Sequence, residues 1–307
     1  MSQWTVEGPD SITIDEAVRT VSVRVVDGTV NVVAADGPAR LEVTELRGEP
    51  LHVTLVDGVL TVTYKDISSW GEVGDWLKSA TSIKSFFGSL KNKRVAGVTL
   101  TVPAGTEVKV GTVSAGATVS GFAGHVSVQS ANGDATLVGL SGRTDANTVS
   151  GDVDAQSVGG QLKVNTVSGR LTVVAGTAER IQANSVTGAV TLDLDVLTPA
   201  DIKVTTVSGQ VAVRLPSLAD ARVDAGSTSG DVSSTFDQLK LGGSWGAKRL
   251  SGQLGDGQGS LAVTTVSGAV TVLRRPDAED EEPVVVRELP AGPSLDKPAG
   301  PDLTKEA

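Results

Sequence analysis

The sequence feature that restricts the possible folds most strongly is a motif of the form T-V-S-G-x-V, which recurs between Gly133 and Gly268. Within a repeat the apolar residues lie two and four positions apart, as in Val149, Val153 and Ala155, which is the period of a β-strand. Successive glycines of the motif are 16 to 22 residues apart, and such a period built from short strands is typical of a solenoid. The repeat glycines are Gly133, Gly151, Gly169, Gly188, Gly209, Gly230, Gly252 and Gly268.

Stacked turns would align equivalent residues of neighbouring repeats in columns, because the strands of adjacent turns pair position by position. Asn147, Asn165 and Asn184 share one position, which predicts a ladder of amide hydrogen bonds. We expect a column of hydroxyl residues to face outward: Thr148, Thr166, Ser185, Thr206 and Thr265. We expect a column of valines to face the interior: Val149, Val167, Val186, Val207 and Val266.

These repeats and the preceding segment Val98-Thr99-Leu100-Thr101-Val102-Pro103-Ala104-Gly105 resemble a bacterial family of β-strand-repeat proteins known as putative adhesins. The function of that family is largely unknown. The resemblance covers residues 20 to 273. It implies a parallel β-helix-like fold and surface binding, and it implies no catalytic residues.

Residues 1–65 are predicted to cap the solenoid, because a solenoid end exposes unpaired strand edges and apolar interior. Alternating runs flank Asp27-Gly28 and Asp57-Gly58, and an Asp-Gly pair between such runs predicts a hairpin. We therefore expect an antiparallel β cap here, followed by the solenoid itself over residues 95–273. The predicted fold class is all-β, a parallel β-solenoid with this cap and a short helical insert between the two.

The insert, residues 66–94, has apolar residues at helical spacing, for example Trp76, Ala80 and Ile83. It contains four of the nine aromatic residues, and its lysines make it basic within an acidic protein. One interpretation is an amphipathic lid over the cap or the solenoid mouth; the other is an element that docks on a protein partner or a membrane surface. The candidate interaction residues are Trp70, Trp76, Phe86, Phe87, Lys84 and Lys91.

Two further segments interrupt or follow the repeats. Residues 236–245 form the widest spacer and are predicted to be a local binding edge or a lateral strand. Residues 274–307 are rich in proline and acidic side chains, which predicts a disordered tail.

Composition excludes several classes of function. The chain has 307 residues, a net charge of −10 and no cysteine, so it has neither disulfides nor thiol chemistry. It lacks a basic stripe to neutralise phosphates, which argues against nucleic acid as a partner. No apolar run long enough to span a membrane and no signal-like N-terminus are seen, so we expect a cytoplasmic protein, with attachment at the inner membrane face as the alternative.

Catalytic motifs are weak. Gly242-Gly243-Ser244-Trp245-Gly246 matches G-x-S-x-G but lacks the strand–turn–helix context of a hydrolase, and the two histidines, His52 and His125, lie in β-type segments. Gly255-Asp256-Gly257-Gln258-Gly259 resembles a calcium-binding turn but occurs once, so a plain turn is expected.

Two pairs of carboxylates alternate along strands, Asp152 with Asp154 and Asp193 with Asp195. Clustered carboxylates on a β-helix face are found in polysaccharide-active enzymes, and that class is one alternative. An ion pair between Asp152 and Arg170 of the next turn is the simpler expectation.

The sequence thus favours a non-enzymatic binding or scaffold module with no cofactor and no metal. The alternatives are the polysaccharide-active enzyme and a membrane-stress accessory protein that docks through residues 66–94.

Overall fold

The computed structural model describes residues 1–65, 94–195, 199–244 and 246–275. Over these ranges the chain forms strands and no α-helix, so the predicted all-β class is confirmed. The strands make two sheets, sheet A of 14 strands and sheet B of 12. Residues 66–93 of the predicted helical insert and 276–307 of the predicted acidic tail lie outside the described residues, whereas Arg274 ends a strand of sheet B.

The first eight strands are β1 (Ser2–Val6), β2 (Asp10–Ile14), β3 (Thr20–Val25), β4 (Asp27–Ala34), β5 (Ala39–Arg47), β6 (Leu51–Val56), β7 (Val59–Tyr64) and β8 (Val95–Val102). The next twelve are β9 (Glu107–Thr112), β10 (Gly116–Ser120), β11 (Val126–Ser130), β12 (Ala135–Val138), β13 (Arg143–Thr148), β14 (Val153–Gln156), β15 (Gln161–Thr166), β16 (Leu171–Gly176), β17 (Arg180–Ser185), β18 (Val190–Leu194), β19 (Asp201–Thr206) and β20 (Val211–Leu215). The last six are β21 (Ala221–Ser227), β22 (Val232–Ser234), β23 (Lys240–Ser244), β24 (Ala247–Leu254), β25 (Gly259–Thr265) and β26 (Val270–Arg274).

Each repeat places one strand in sheet A and one in sheet B, and successive turns stack in parallel. In sheet A, β15 pairs with β13 on one side and β17 on the other, so Asn165 lies opposite both Asn147 and Asn184. The Asn165 amide donates to the Asn147 Oδ1 at 2.7 Å, and the Asn184 amide donates to the Asn165 Oδ1 at 2.8 Å. The predicted asparagine ladder is confirmed.

The valine and hydroxyl columns face the directions opposite to those predicted. Val167 is 47% exposed, whereas Thr166 is 6% exposed. The reason is that β15 ends at Thr166, whose Oγ1 accepts the backbone N–H of Gly169 at 3.0 Å and closes the corner from inside. Val167 then lies in the turn beyond the strand and faces solvent. The same exposure is found at Val186, Val207 and Val266, while Thr148, Ser185, Thr206 and Thr265 are buried.

The corner glycines bring successive turns into close contact. A Cβ at Gly169 would lie 1.9 Å from the carbonyl oxygen of Gly151, which leaves no room for any side chain. The same contact recurs along the column, between Gly188 and Gly169 and between Gly209 and Gly188.

The N-terminal part mixes antiparallel and parallel pairing. The hairpin at Asp57-Gly58 is confirmed, since β6 and β7 pair antiparallel across these two residues, which both have positive φ angles. The hairpin predicted at Asp27-Gly28 is wrong, because a single residue separates β3 from β4 and the two strands enter different sheets. Both pair in parallel with later strands, so residues 1–65 are not wholly antiparallel.

The C-terminal turns do not stack in chain order. Strand β25 lies between β19 and β21 in sheet A, and β26 lies between β20 and β22 in sheet B. The turn of β19 and β20 and the turn of β21 and β22 are therefore not neighbours, and the last described turn, β25 and β26, lies between them. Gly252, counted above among the repeat glycines, lies instead in β24, which pairs antiparallel with β21.

Small and branched aliphatic side chains fill the space between the sheets. Inward positions of sheet A alternate in size along the stack: Val128, Ala146, Val164, Ala183 and Val204, all buried. The facing positions of sheet B are Leu137, Ala155, Val173, Leu192 and Val213. This narrow core suits a chain with few aromatic residues.

Candidate functional site

The six candidate interaction residues of the insert lie outside the described residues, but the strands that flank the insert are described. Tyr64 ends β7 and is fully buried, and Arg94 is 7% exposed directly before β8. The Arg94 guanidinium lies 5.3 Å from the centre of the Tyr64 ring and donates to the Glu49 Oε1 at 2.8 Å. The two residues on either side of the undescribed part of the insert, Tyr64 and Arg94, therefore meet in a buried cation–π contact, and Glu49 forms an ion pair with the same guanidinium.

A charged cluster on the outer face of sheet A surrounds His125. Its Nε2 lies 2.9 Å from the Asp145 Oδ2, and its Nδ1 lies 3.5 Å from the Glu107 Oε1. Arg143 Nε donates to the same Asp145 oxygen at 2.8 Å, and Lys109 Nζ lies 3.3 Å from Glu107. Each ring nitrogen of His125 thus faces a carboxylate.

The carboxylates of this cluster are stabilised in their ionised form. Burial alone would raise the pKa of Glu107, but the hydrogen bond and charge of Lys109, with hydrogen bonds from His125 and Thr20, bring that pKa below its ordinary value. Burial likewise opposes ionisation of Asp145, and the hydrogen bonds and charges of Arg143 and His125 lower its pKa overall.

The sequence did not single out this cluster, although a signal for it was present. Glu107, His125 and Arg143 are spaced 18 residues apart, which is one turn. Their strands pair so that Val108, Val126 and Thr144 stand side by side, and the residues that precede these three form one column.

The paired carboxylates Asp193 and Asp195 are held by arginines. Asp193 lies in β18 and accepts hydrogen bonds from Arg214 of β20 and from Arg275, which follows β26; Arg275 also pairs with Asp195. The hydrogen bond from Arg214 is the main cause that lowers the pKa of Asp193, followed by Arg275 against the opposing effect of burial. These carboxylates connect three neighbouring strands.

Asp152 and Asp154 are arranged differently from each other. The Asp152 Oδ1 accepts the backbone N–H of Arg170 at 2.7 Å, so the predicted contact between the two residues runs through the backbone and not through the guanidinium. Asp154 is exposed and lines a shallow open depression of about 310 Å³ on the outer face of sheet B. The other lining residues are Thr136, Ala155, Gln156, Thr172 and Val174.

The two glycine-rich motifs have structural roles. Ser244 ends β23, an exposed strand in an antiparallel pair, which is not a hydrolase elbow. Gly257 lies in the turn between β24 and β25, where its N–H donates to the Leu254 carbonyl at 3.2 Å, as expected for a plain turn.

The described residues show neither a metal-binding cluster nor a membrane-spanning helix. No group of three or more His, Asp or Glu side chains there is placed to hold a metal ion. That part of the chain also contains no helix with the length and apolar character needed to cross a bilayer.

Taken together, these features define the chain as a β-strand-repeat protein whose turns stack into two long parallel sheets. It belongs to the family described as Toastrack DUF4097, whose model matches residues 57–273. The expected membership of a β-strand-repeat family of unknown function is thereby confirmed.

Solved structures with low sequence identity resemble the chain. One is a putative lipid binding protein from Parabacteroides distasonis, 13% identical, with a TM-score of 0.46, covering 88% of this chain and 98% of that one. Another is a putative adhesin from the same organism, 15% identical, with a TM-score of 0.39, covering 88% of this chain and 98% of that one. A putative adhesin from Parabacteroides merdae is 14% identical, with a TM-score of 0.38, covering 89% of this chain and 96% of that one. No curated protein sequence matches the chain.

Proposed function

We propose that the protein is a non-enzymatic binding module and that it holds its partner through the insert of residues 66–94. The observation that carries the proposal is the closed base of this insert, where Tyr64 and Arg94 are buried against each other. When the two ends of a segment meet on a rigid scaffold, the sequence of the segment can vary without changing the strands beside it. Many folds carry their binding loops in this way.

The charged groups of the described faces support binding over catalysis. His125 has a carboxylate at each ring nitrogen, and Asp193 is engaged by two arginines. Within the part of the chain that the structure describes, Asp154 is the one carboxylate that lines the depression on sheet B. A glycosidase needs two carboxyl groups on either side of the scissile bond, so this depression does not favour the polysaccharide-active alternative. Incubation with a panel of glycans is expected to give no turnover.

The residue types of the insert indicate what it would bind. Tryptophan and phenylalanine are common anchors of interfaces, and Lys84 and Lys91 add attraction to an anionic surface of about 1 kcal/mol per charge. The partner in this proposal is a protein surface or the anionic inner face of the membrane, and the location is cytoplasmic.

Co-sedimentation with vesicles that contain phosphatidylglycerol separates binding from a lid role. We expect Trp76→Ala and Phe87→Ala to weaken retention while the melting temperature barely changes. Replacing Lys84 and Lys91 with Gln should weaken partition onto the vesicles by about 30-fold. The matched control replaces Lys163 and Lys203, two exposed lysines of sheet A, and should leave retention unchanged.

A protein partner would give a different pattern in the same experiment. The native protein would then not co-sediment with the vesicles but would retain one specific protein from lysate. The Trp76→Ala and Phe87→Ala variants would no longer retain that protein. If both aromatic variants lower the melting temperature and leave all retention unchanged, the insert is a lid and the proposal is wrong.

A further inference from the structure

The four strands that end the two sheets differ in how well their free edges are protected. Natural proteins protect edges by short strands, charges or proline, because an open edge accepts another strand. In sheet B, β22 has three residues, and β2 begins with Asp10 and is followed by Asp15 and Glu16. In sheet A, β1 directs its Ser2 hydroxyl to Glu16, and its Trp4 packs against the core.

Strand β23 has none of this protection along most of its length. All five of its residues are exposed, and among the strands that the structure describes it pairs with β24 alone. Its sequence, Lys-Leu-Gly-Gly-Ser, has one charge, at its first residue, and Leu241 is 59% exposed. Its backbone can therefore accept a further strand.

We infer that β23 is a self-association edge, which pairs antiparallel with β23 of a second copy about a twofold axis at Gly242. This inference does not depend on the insert of residues 66–94. The observation that selects a second copy is the complementarity of the strand with itself. Antiparallel pairing about Gly242 sets Leu241 of each copy opposite Gly243 of the other, so each leucine covers a position that has no side chain.

Charge also fits this register. Lys240 of one copy lies opposite Ser244 of the other, so the two lysines are at opposite ends of the paired strands and do not repel each other directly. The cations of the adjacent strand β24 are neutralised within each copy, since Lys248 pairs with Asp231 and Arg249 pairs with Asp224.

The interface is small, because it consists mainly of one pair of five-residue strands. Contacts of this size give weak complexes that depend on protein concentration. We therefore expect the full chain to sediment as a reversible mixture of monomer and dimer, with the dimer fraction rising as the protein is concentrated.

Cysteine cross-linking tests the register, and the natural absence of cysteine makes each introduced thiol unique. A Cβ at Gly242 meets no atom within 4 Å, so Gly242→Cys should fold normally. Two such residues that face each other across the axis would have the Cα separation that a disulfide requires. Oxidation should convert Gly242→Cys to a covalent dimer.

The neighbouring positions give a matched test of the same axis. Lys240→Cys and Ser244→Cys should each cross-link poorly alone and efficiently when the two variants are mixed. Leu218→Cys, at a leucine that is 83% exposed in the loop after β20, is the control and should stay monomeric. Equal cross-linking of the control, or a Gly242→Cys protein that stays monomeric under oxidation, would overturn the inference.

Sedimentation of charge variants tests the edge without a disulfide. Leu241→Lys places charge in the middle of the edge and should remove the concentration dependence, while Leu218→Lys should sediment like the native chain. Circular dichroism checks that both variants remain folded. A native chain that stays monomeric at every concentration overturns self-association, even if the edge then captures an extended peptide.

Discussion

The corners that follow the repeat strands of sheet A depend on two residues, a hydroxyl that closes the turn and a glycine against which the neighbouring turn packs. The Thr166 hydroxyl accepts the N–H of Gly169 and also receives a hydrogen bond at 3.1 Å from the Thr148 hydroxyl of the turn before. Because these buried polar groups form hydrogen bonds with one another, burying them does not carry the free-energy cost of an unpaired polar group.

The glycine of the corner supplies the first prediction. Gly169→Ala should lower the free energy of unfolding by about 3 kcal/mol, because rigid backbone atoms of Gly151 occupy the space that the new Cβ needs. Urea denaturation measures the effect. The matched variant Gly116→Ala, where a Cβ meets nothing within 4 Å, should cost less than about 1 kcal/mol. Similar costs at the two sites would contradict this account of the corner.

At the scale of elements, the inserted turn of β25 and β26 distinguishes this chain from a simple stack. Because β25 pairs in parallel with β19 on one side and β21 on the other, it connects the C-terminal strands to the rest of sheet A. In a solenoid each turn contacts only its two neighbouring turns. Unfolding of the turn of β25 and β26 should therefore also destabilise the strands on its far side, β21 to β24.

The second prediction concerns this connection. Val263 of β25 is 1% exposed, and Val263→Asp would bury an unpaired charge there. We expect hydrogen exchange to rise strongly in β21 through β26, while the turns before β17 keep their protection. Val207→Asp, at a valine that is 47% exposed, is the control and should change little. Uniform loss of protection along the chain would show instead that the stack unfolds as one unit.

At the scale of the whole molecule, the sheets differ in the chemistry of their outer faces. Sheet A carries a column of charged and amide residues joined by contacts such as those of His125 with Glu107 and Asp145. The outer face of sheet B has hydroxyls at matching positions, including Thr118, Thr136 and Thr172. Ion pairs between turns are found on both sheets, around His125 on sheet A and around Asp193 on sheet B.

The third prediction follows from three carboxyl groups whose pKa values are lowered in the fold, Glu107, Asp145 and Asp193. A lowered pKa means that the unfolded chain binds protons first as the pH falls. The stability these groups contribute is fully present above the unfolded pKa values, near pH 4, and is lost as the pH falls through the folded values. Asp193→Asn should reduce stability at pH 7 and flatten the loss below about pH 4. The melting temperature measured as a function of pH tests both expectations. If the variant and the native chain lose stability equally steeply below about pH 4, Asp193 does not contribute to the acid sensitivity.

The sequence predicts the insert as a candidate site, and this remains a prediction because its six candidate residues lie outside the described residues. The aromatic and basic residues of the insert are visible as a departure from strand alternation, and the asparagine ladder follows from the repeat. The contact between Tyr64 and Arg94 could not be anticipated, because the two residues lie on opposite sides of the insert in sequence and meet through two different sheets. The cluster around His125 required knowledge of which turns are neighbours.

The sequence by itself determined the repeat, the strand period and the stacking of like residues, because these depend on contacts between one turn and the next. Only the tertiary structure shows which way the columns face. Thr166 is buried because β15 ends there and its hydroxyl accepts the N–H of Gly169, and Val167, one residue beyond the strand, is exposed. The tertiary structure also decided the order of the last turns. Parallel repeats of similar sequence can pair with any neighbour, so only the complete fold places β25 between β19 and β21.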